Sequence, residues 1–156
     1  MVKNAWDQSF DDENYVLFGA RKNAVDVTAI HPEPVHILRL WNTYLRNVDP
    51  LIKVTHSPSL EPRVLEAACD VTRVDPVLEA LMFSIYSISI FSMPADECQD
   101  TFGVPREELL TKYQLGCQQA LMNCGFLRTD SRECLTALHL FLVSFPPVTL
   151  SPINQY

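Results

Sequence analysis

The sequence contains very little glycine. Only 4 of its 156 residues are glycine, against an average usage of about 7% in proteins. Tight β-hairpin turns and phosphate-binding loops both depend on glycine, because they need positive φ angles or close approach of the backbone. The shortage therefore argues against a β-rich fold and against a nucleotide site, and the sequence has no Gly-x-Gly-x-x-Gly or Walker motif.

Basic charge is also scarce. The chain has 12 Lys and Arg residues against 19 Asp and Glu residues, and its net charge is −7. No cluster of basic residues interrupts this balance. Because neutralisation of backbone phosphates supplies most of the non-specific affinity for DNA, the composition argues against direct binding of nucleic acid.

The cysteines do not form a recognisable motif. Their number is odd, they are widely spaced and no Cys-x-x-Cys pair occurs: Cys69, Cys98, Cys117, Cys124 and Cys134. This pattern fits neither a disulfide framework nor a zinc site. We therefore interpret the cysteines as small apolar side chains in a reducing compartment, and we expect neither a metal ion nor an organic cofactor.

Long hydrophobic runs are missing as well. The longest apolar stretch, residues 78–91, is interrupted by Glu79 and several serines. It falls short of the roughly 20 residues that a membrane span requires. Residues 1–12 are polar and acidic, which is not typical of a signal peptide. We expect no membrane association.

Amphipathic stretches separated by prolines predict an all-α fold, a compact bundle of five to six helices. The predicted helices cover residues 34–47, 61–72, 75–93, 95–102, 105–123 and 131–144. The third is apolar nearly all round, which places it in the middle of the bundle. An irregular docking arm (1–30) precedes the helical domain (31–145), and an irregular tail (146–156) follows it.

The predicted helix ends depend on capping residues and prolines. Asp75 before Pro76 predicts the start of the third helix, and Gly103 predicts the end of the fourth. The other predicted ends are Asp49–Pro50 for the first helix, Ser59 as N-cap of the second, and a capping box of Asp130 and Glu133 for the last.

Two helix faces are predicted from spacing. On the last helix the predicted buried stripe consists of Leu135, Leu138, Phe141 and Leu142. On the second helix, charged residues recur at the spacing of ion pairs along a solvated face: Arg63, Glu66, Asp70 and Arg73.

Four blocks of residues, taken in order, resemble a known family. The first block includes Leu40-Trp41 and Asn47-Val48-Asp49-Pro50-Leu51, and the others lie within residues 79–86, 98–127 and 135–142. The series is similar to the fungal-specific transcription factor domain, the middle homology region of regulators with a binuclear zinc cluster. The resemblance covers roughly residues 10–144.

The chain also departs from that family. The six paired cysteines of the zinc cluster are absent, and the family's regulatory region runs for several hundred residues. Thr136 stands where glutamine is usual, and His139 stands where a small or apolar residue is expected. The chain thus resembles a truncated, stand-alone form without the DNA-binding cluster. Apolar helix faces left uncovered by the truncation would be buried in a dimer, covered by the tail or used as a ligand cavity, and of these we predict a homodimer.

Glu79 and Tyr86 are the first candidates for chemistry. They are seven residues apart on the most apolar helix, hence on one face. A buried carboxyl without a nearby cation has a raised pKa and can act as a general acid near neutral pH. The alternative is structural: Glu79 stabilises the helix N-terminus and pairs with Lys53 or an arginine.

Three further residues complete the candidate catalytic set. Asp49 and His56 flank an apolar connector, where a carboxylate beside a histidine is a usable acid–base pair or, alternatively, a hydrogen bond that organises the loop. His139 is a candidate because it departs from the family, although a lone helical histidine also serves as an ordinary core or surface group. His31 and His36, near the start of the first helix, are predicted to be solvated.

Two hypotheses of function follow. In the first, which we favour at this point, the chain is a small cofactor-free acid–base enzyme or small-molecule binder of fungal secondary metabolism. It would act in the cytoplasm on a natural-product substrate, by isomerisation, cyclisation or epoxide rearrangement. In the alternative, it is a non-catalytic regulatory or dimerisation module that acts in the nucleus on a full-length zinc-cluster transcription factor.

Overall fold

A computed structural model describes residues 25–145 of the chain, and within them the protein is α-helical without any strand. Six helices of two turns or more follow one another: α1 (Pro34–Thr43), α2 (Ser57–Cys69), α3 (Pro76–Ser92), α4 (Ala95–Phe102), α5 (Arg106–Asn123) and α6 (Arg132–Val143). The predicted all-α bundle is confirmed. Residues 1–24 of the predicted arm and the whole predicted tail lie outside the described residues.

α3 forms the centre of the bundle. It packs mainly on α5 and α6 and also on α1, and every residue from Ala80 to Ile90 is buried. This confirms the prediction from its uniformly apolar composition, since a helix without a polar face must be covered on all sides. Its serine hydroxyls donate hydrogen bonds to backbone carbonyls of α3 itself or of α1. The Ser89 hydroxyl, for example, donates to the Leu40 carbonyl at 3.0 Å.

The predicted ends of α3 and α4 are confirmed. The Asp75 carboxylate accepts hydrogen bonds from the backbone N–H groups of Val77 and Leu78, at 3.1 and 3.0 Å. Pro76 occupies the first turn, where no N–H is needed. Gly103 ends α4 with a φ of 70°, a left-handed conformation that suits glycine.

The first helix does not end where the sequence predicted. A π-helical turn (Tyr44–Val48) follows α1, and the Asp49–Ile52 segment continues as a helical turn. The Asp49 N–H bonds to the Tyr44 carbonyl, five residues back. Pro50 thus lies in the first turn of a new helical segment, where its missing N–H costs little. The prediction that Asp49–Pro50 stops the helix is wrong.

α2 begins earlier than predicted, at Ser57 instead of Glu61. Ser59 is therefore inside the helix and not its N-cap. Its hydroxyl donates to the backbone carbonyl of His56 at 3.0 Å and lies 2.9 Å from the Nδ1 atom of the same residue. Pro58 occupies the first turn, and Pro62 lies inside the helix.

α6 differs from the prediction in its cap. The Ser131 side chain accepts from the Cys134 N–H at 3.5 Å, so Ser131 is the N-cap and not Asp130. Glu133 does not complete a capping box with Asp130; its carboxylate instead holds both terminal nitrogens of Arg63 on α2. Hydrogen bonding to Glu133 raises the pKa of Arg63. Arg63 therefore pairs with a residue on α6, and not with a charged neighbour along α2 as the sequence predicted.

α6 is also rotated relative to the predicted stripe. Its buried residues are Cys134, Ala137, Leu140 and Phe141. Leu135 and Leu142, which were predicted to be buried, are each 58% exposed. Apolar residues lie on both sides of this helix, so its spacing fits two orientations, and the structure has the one that buries Cys134, Ala137, Leu140 and Phe141.

Candidate functional site

A polar cluster lies between the N-terminal segment and the central helix. The Nδ1 atom of His31 is 3.1 Å from the Tyr86 hydroxyl, and its Nε2 atom is 3.1 Å from Oε1 of Glu79. The His31 side chain is only 1% exposed and that of Glu79 is 13% exposed. An ionised carboxylate only accepts hydrogen bonds, so Nε2–H donates to Glu79, and Nδ1 forms the second hydrogen bond of the ring with the Tyr86 hydroxyl. We call these three residues the His31 cluster.

The segment before α1 places His31 in the cluster. Asn123 on α5 holds the backbone of Val25 at both ends: Oδ1 accepts from the Val25 N–H at 3.1 Å, and Nδ2 donates to the Val25 carbonyl at 2.7 Å. Val27 is 1% exposed, and a short 3₁₀ turn (Thr28–Ile30) leads directly to His31. The backbone therefore fixes the imidazole over α3.

Aromatic rings surround the His31 cluster. The imidazole lies 4.5 Å from the Phe83 ring, centroid to centroid, and the Tyr86 ring lies 5.4 Å from that of Tyr113. Burial raises the pKa of Tyr86 well above its ordinary value, with smaller contributions from Tyr113 and Glu79. Burial also raises the pKa of Tyr113 to about 12. Both phenols therefore stay protonated at neutral pH.

The cluster was only half predicted. The sequence placed Glu79 and Tyr86 on one face of a central helix, and the structure joins them through His31. His31 was predicted to be solvated, and that prediction is wrong. The partner that the structure shows for Glu79 is His31, which the sequence did not predict, and Lys53 is exposed. The signal that sequence reasoning missed is simple: a carboxylate on a buried helix needs a donor, and a histidine precedes α1.

The other predicted site residues have hydrogen-bond partners outside this cluster or are exposed. Asp49 accepts a hydrogen bond from the Thr55 hydroxyl at 3.3 Å, and that hydroxyl is 2.8 Å from the Tyr44 hydroxyl. His56 is exposed and contacts Ser59. His139 is exposed on α6. The structure thus brings together only Glu79 and Tyr86 from the five candidates.

Two surface clefts within residues 25–145 are lined by residues outside the His31 cluster. A cleft of about 430 Å³ lies between α2 and the start of α3, and it is lined mainly by charged side chains of Arg63, Glu66, Asp70, Arg73 and Asp75. A smaller one of about 160 Å³ is lined by His56, Ser59, Thr136 and their neighbours. Within residues 25–145, no group of three potential metal-ligating side chains is found.

The C-terminal part of the described chain exposes apolar side chains. Leu135 and Leu142 are 58% exposed, Phe145 is 44% exposed and Val143 is 37% exposed. Leu135 and Leu142 are seven residues apart and therefore lie on one side of α6. We call these four residues the α6 outer face. None of the helices described is long and apolar enough to cross a membrane.

Comparison with known proteins finds relatives of one kind. The chain is 49% identical over 151 residues to the transcriptional regulator AacuB of Aspergillus aculeatus, which covers 96% of this chain and 21% of that protein. It is 44% identical over 155 residues to the transcriptional regulator nsrM of Aspergillus novofumigatus, which covers 95% and 22%. The aurofusarin cluster transcription factor aurR2 of Gibberella zeae is 33% identical over 128 residues, covering 82% and 19%.

The chain spans about a fifth of the length of the curated relatives it matches. No protein-family model matches it. No solved structure is significantly similar to it.

These relatives overturn the first functional hypothesis. Relatives that match between 74% and 96% of this chain are named as transcriptional regulators or transcription factors, and their names describe no isomerase, cyclase or acid–base catalyst. The prediction of a small cofactor-free enzyme or small-molecule binder is therefore wrong. The regulatory alternative is the better supported of the two. Over at least 95% of its length, the chain is similar to one segment of fungal transcriptional regulators.

Proposed function

We propose that this chain is a non-catalytic regulatory segment in the control of transcription in a fungus. The observation that carries the proposal is its 49% and 44% identity to two proteins named transcriptional regulators, over 96% and 95% of its residues. At this level of identity the matched segments share a core, and a shared core supports a shared role in the larger protein.

The segment corresponds, in our proposal, to the fungal-specific transcription factor domain that its four sequence blocks resemble. Residues 31–145 form the helical domain, with residues 1–30 as a docking arm and 146–156 as a tail. The names of relatives also support a context. One is an aurofusarin cluster transcription factor, and another is a transcription factor of a pyriculol/pyriculariol biosynthesis cluster. We therefore place the chain's action in the nucleus, on genes of secondary metabolism.

The packing supports a scaffold role. His31, Glu79 and Tyr86 satisfy one another, and their hydrogen bonds join the N-terminal segment to the central helix. Such a closed network stabilises a fold. Acid–base catalysis would require the same groups to face a substrate.

The partner in this proposal is the remainder of a full-length regulator, and the α6 outer face is the contact surface. About four-fifths of each close relative lies outside the matched segment. Four large apolar side chains are exposed near one end of the described chain, and exposed apolar patches mark sites of protein contact. A homodimer through the same face is the competing arrangement. It predicts twice the monomer mass for the isolated chain in light scattering, whereas our proposal predicts the monomer mass.

The experiment is a segment exchange in Aspergillus aculeatus. The 151 aligned residues of AacuB are replaced by those of this chain at the native locus, and transcripts are measured genome-wide. The genes whose transcripts fall when AacuB is deleted define the readout. We expect the exchanged strain to restore these transcripts to within about threefold of the parent, because 49% identity preserves a core better than it preserves detailed contacts.

The matched control carries the same exchange with Phe83→Asp, which places a charge in the centre of the bundle and should abolish restoration. Transcripts at the level of the deletion strain, with the exchanged protein present at normal abundance, would contradict the proposal.

A further inference from the structure

Two thiols lie in contact at the junction of α5 and α6. The Sγ atoms of Cys124 and Cys134 are 3.1 Å apart, about 1 Å longer than a disulfide bond. Both cysteines are reduced in the structure. Among the five cysteines, these two have their sulfurs within hydrogen-bonding distance of each other.

The backbone holds both sulfurs firmly. Cys124 is the C-cap residue of α5, and its N–H bonds to the Ala120 carbonyl at 3.0 Å. Cys134 lies in the first turn of α6, and its N–H bonds to the Ser131 side chain. Only residues 125–133 separate the two positions. A short connection between fixed helix ends keeps the two thiols at high effective concentration.

The two thiols differ in access. Cys134 is fully buried, whereas Cys124 is half-buried. A reagent from solvent therefore reaches Cys124 first. Cys69 is exposed, while Cys98 and Cys117 are buried, so the same chain supplies both an accessible and an inaccessible reference thiol.

We propose that Cys124 and Cys134 are a site of reversible disulfide formation by exchange with a small disulfide such as glutathione disulfide. The Cys124 thiolate attacks one glutathione sulfur, the glutathione S–S bond breaks, and one glutathione thiolate leaves. The Cys134 thiolate then attacks the Cys124 sulfur and displaces the second glutathione. The two thiols lose two electrons to glutathione disulfide, and their two protons end on two glutathione thiols.

The chemistry of the reduced pair predicts slow oxidation at neutral pH. Burial and the neighbouring Cys134 thiol raise the pKa of Cys124 to about 12. The thiolate fraction, and with it the rate of the first exchange step, should therefore rise about tenfold for each pH unit between pH 7 and 9. The cross-link, once formed, fixes the end of α5 to the start of α6.

The test uses the full chain in glutathione buffers of increasing glutathione disulfide content, at pH 7, 8 and 9. Samples are quenched with acid, alkylated after denaturation and mapped by mass spectrometry. We expect a peptide cross-linked between Cys124 and Cys134 that lacks two hydrogen atoms, a glutathione adduct on Cys69, and alkylated Cys98 and Cys117. Thermal unfolding of the oxidised chain should shift upward by roughly 5 °C.

Two variants separate the site from general thiol reactivity. Cys69→Ser should leave the cross-link unchanged, and Cys124→Ser should abolish it and leave Cys134 alkylated. Two results would overturn the proposal. One is a glutathione adduct that accumulates on Cys124 without the cross-link. The other is a pair of free thiols at pH 9, in the buffer richest in glutathione disulfide, once the distribution of species no longer changes with time. Neither readout depends on the regulatory role proposed above.

Discussion

At the scale of single residues, His31 links the N-terminal segment to the core. It lies before the first helix, yet its side chain is 1% exposed and bonds to both Glu79 and Tyr86 on α3. The sequence could not supply this link. Helical periodicity relates residues within one helix, and His31 is 48 positions from Glu79. The pairing depends on how the chain turns through Thr28–Ile30.

We predict that His31→Ala lowers the free energy of unfolding by about 2–3 kcal/mol, because it leaves a carboxylate and a phenol without their partner in a largely buried site. The measurement is urea denaturation followed by circular dichroism. His139→Ala is the matched control: this histidine is exposed, and its loss should change the stability by less than about 0.5 kcal/mol. Equal effects of the two substitutions would show that the cluster contributes no stability.

The buried tyrosines predict a loss of stability in alkali. Burial raises the pKa of Tyr113 to about 12, whereas an unfolded tyrosine titrates near 10. Below pH 10 the Tyr113 phenol is protonated in both the folded and the unfolded state, so its titration does not change the free energy of unfolding. Between about pH 10 and 12 the unfolded state releases its proton first, so stability falls as pH rises. The Tyr113→Phe variant should lose less stability over this range, as measured by thermal unfolding at pH 9 and 11. A loss identical to that of the unsubstituted chain would contradict the assignment.

At the scale of elements, the close contact between α3 and α5 depends on Gly116, a residue without a Cβ atom. A Cβ atom added at Gly116 would lie 2.7 Å from the Phe83 ring and 3.2 Å from Ile30. Gly116 therefore allows the two helices and the N-terminal segment to approach closely. Its position inside a long helix, where glycine is otherwise unfavourable, is explained by this contact.

We predict that Gly116→Ala destabilises the protein by about 1–3 kcal/mol through overpacking. The sign is informative, because the same change at an open helical site stabilises by roughly 0.5–1 kcal/mol. Leu115→Ala, at the 60% exposed neighbouring position, is the control and should stay within about 0.5 kcal/mol of the parent chain. Chemical denaturation measures both, and a stabilising Gly116→Ala would contradict the packing described here.

The elements differ in how far the sequence predicts them. α3 was predicted together with its cap and its central position, because Asp75–Pro76 marks a helix start and the stretch that follows has apolar residues nearly all round the helix. α6 was predicted in extent but not in orientation, since Leu135 and Leu142 are apolar and nevertheless face outward. The predicted start of α2 was wrong, and so was the predicted end of the first helix at Asp49–Pro50. A proline fits the first turn of any helix, and the sequence does not show where that turn lies.

At the scale of the whole molecule, the apolar exposure is uneven. Among residues 25–145, four of the eight large exposed apolar side chains belong to the α6 outer face: Leu135, Leu142, Val143 and Phe145. The others, Val35, Leu51, Leu65 and Leu115, lie on different elements. The candidate catalytic residues are equally dispersed, and only two share a cluster. The molecule therefore presents a surface suited to contact with protein more clearly than a site suited to chemistry.

The central claim is that this chain serves transcriptional control through contacts of the α6 outer face. It is tested most directly in the AacuB exchange strain carrying Leu135→Glu with Leu142→Glu, compared with the same strain carrying Val35→Glu. All three positions are at least 58% exposed, so each variant should fold and accumulate. The account predicts that transcripts of AacuB-dependent genes fall to the deletion level with the α6 pair and stay near the exchange-strain level with Val35→Glu. Full transcript levels with the α6 pair, at normal protein abundance, would contradict it.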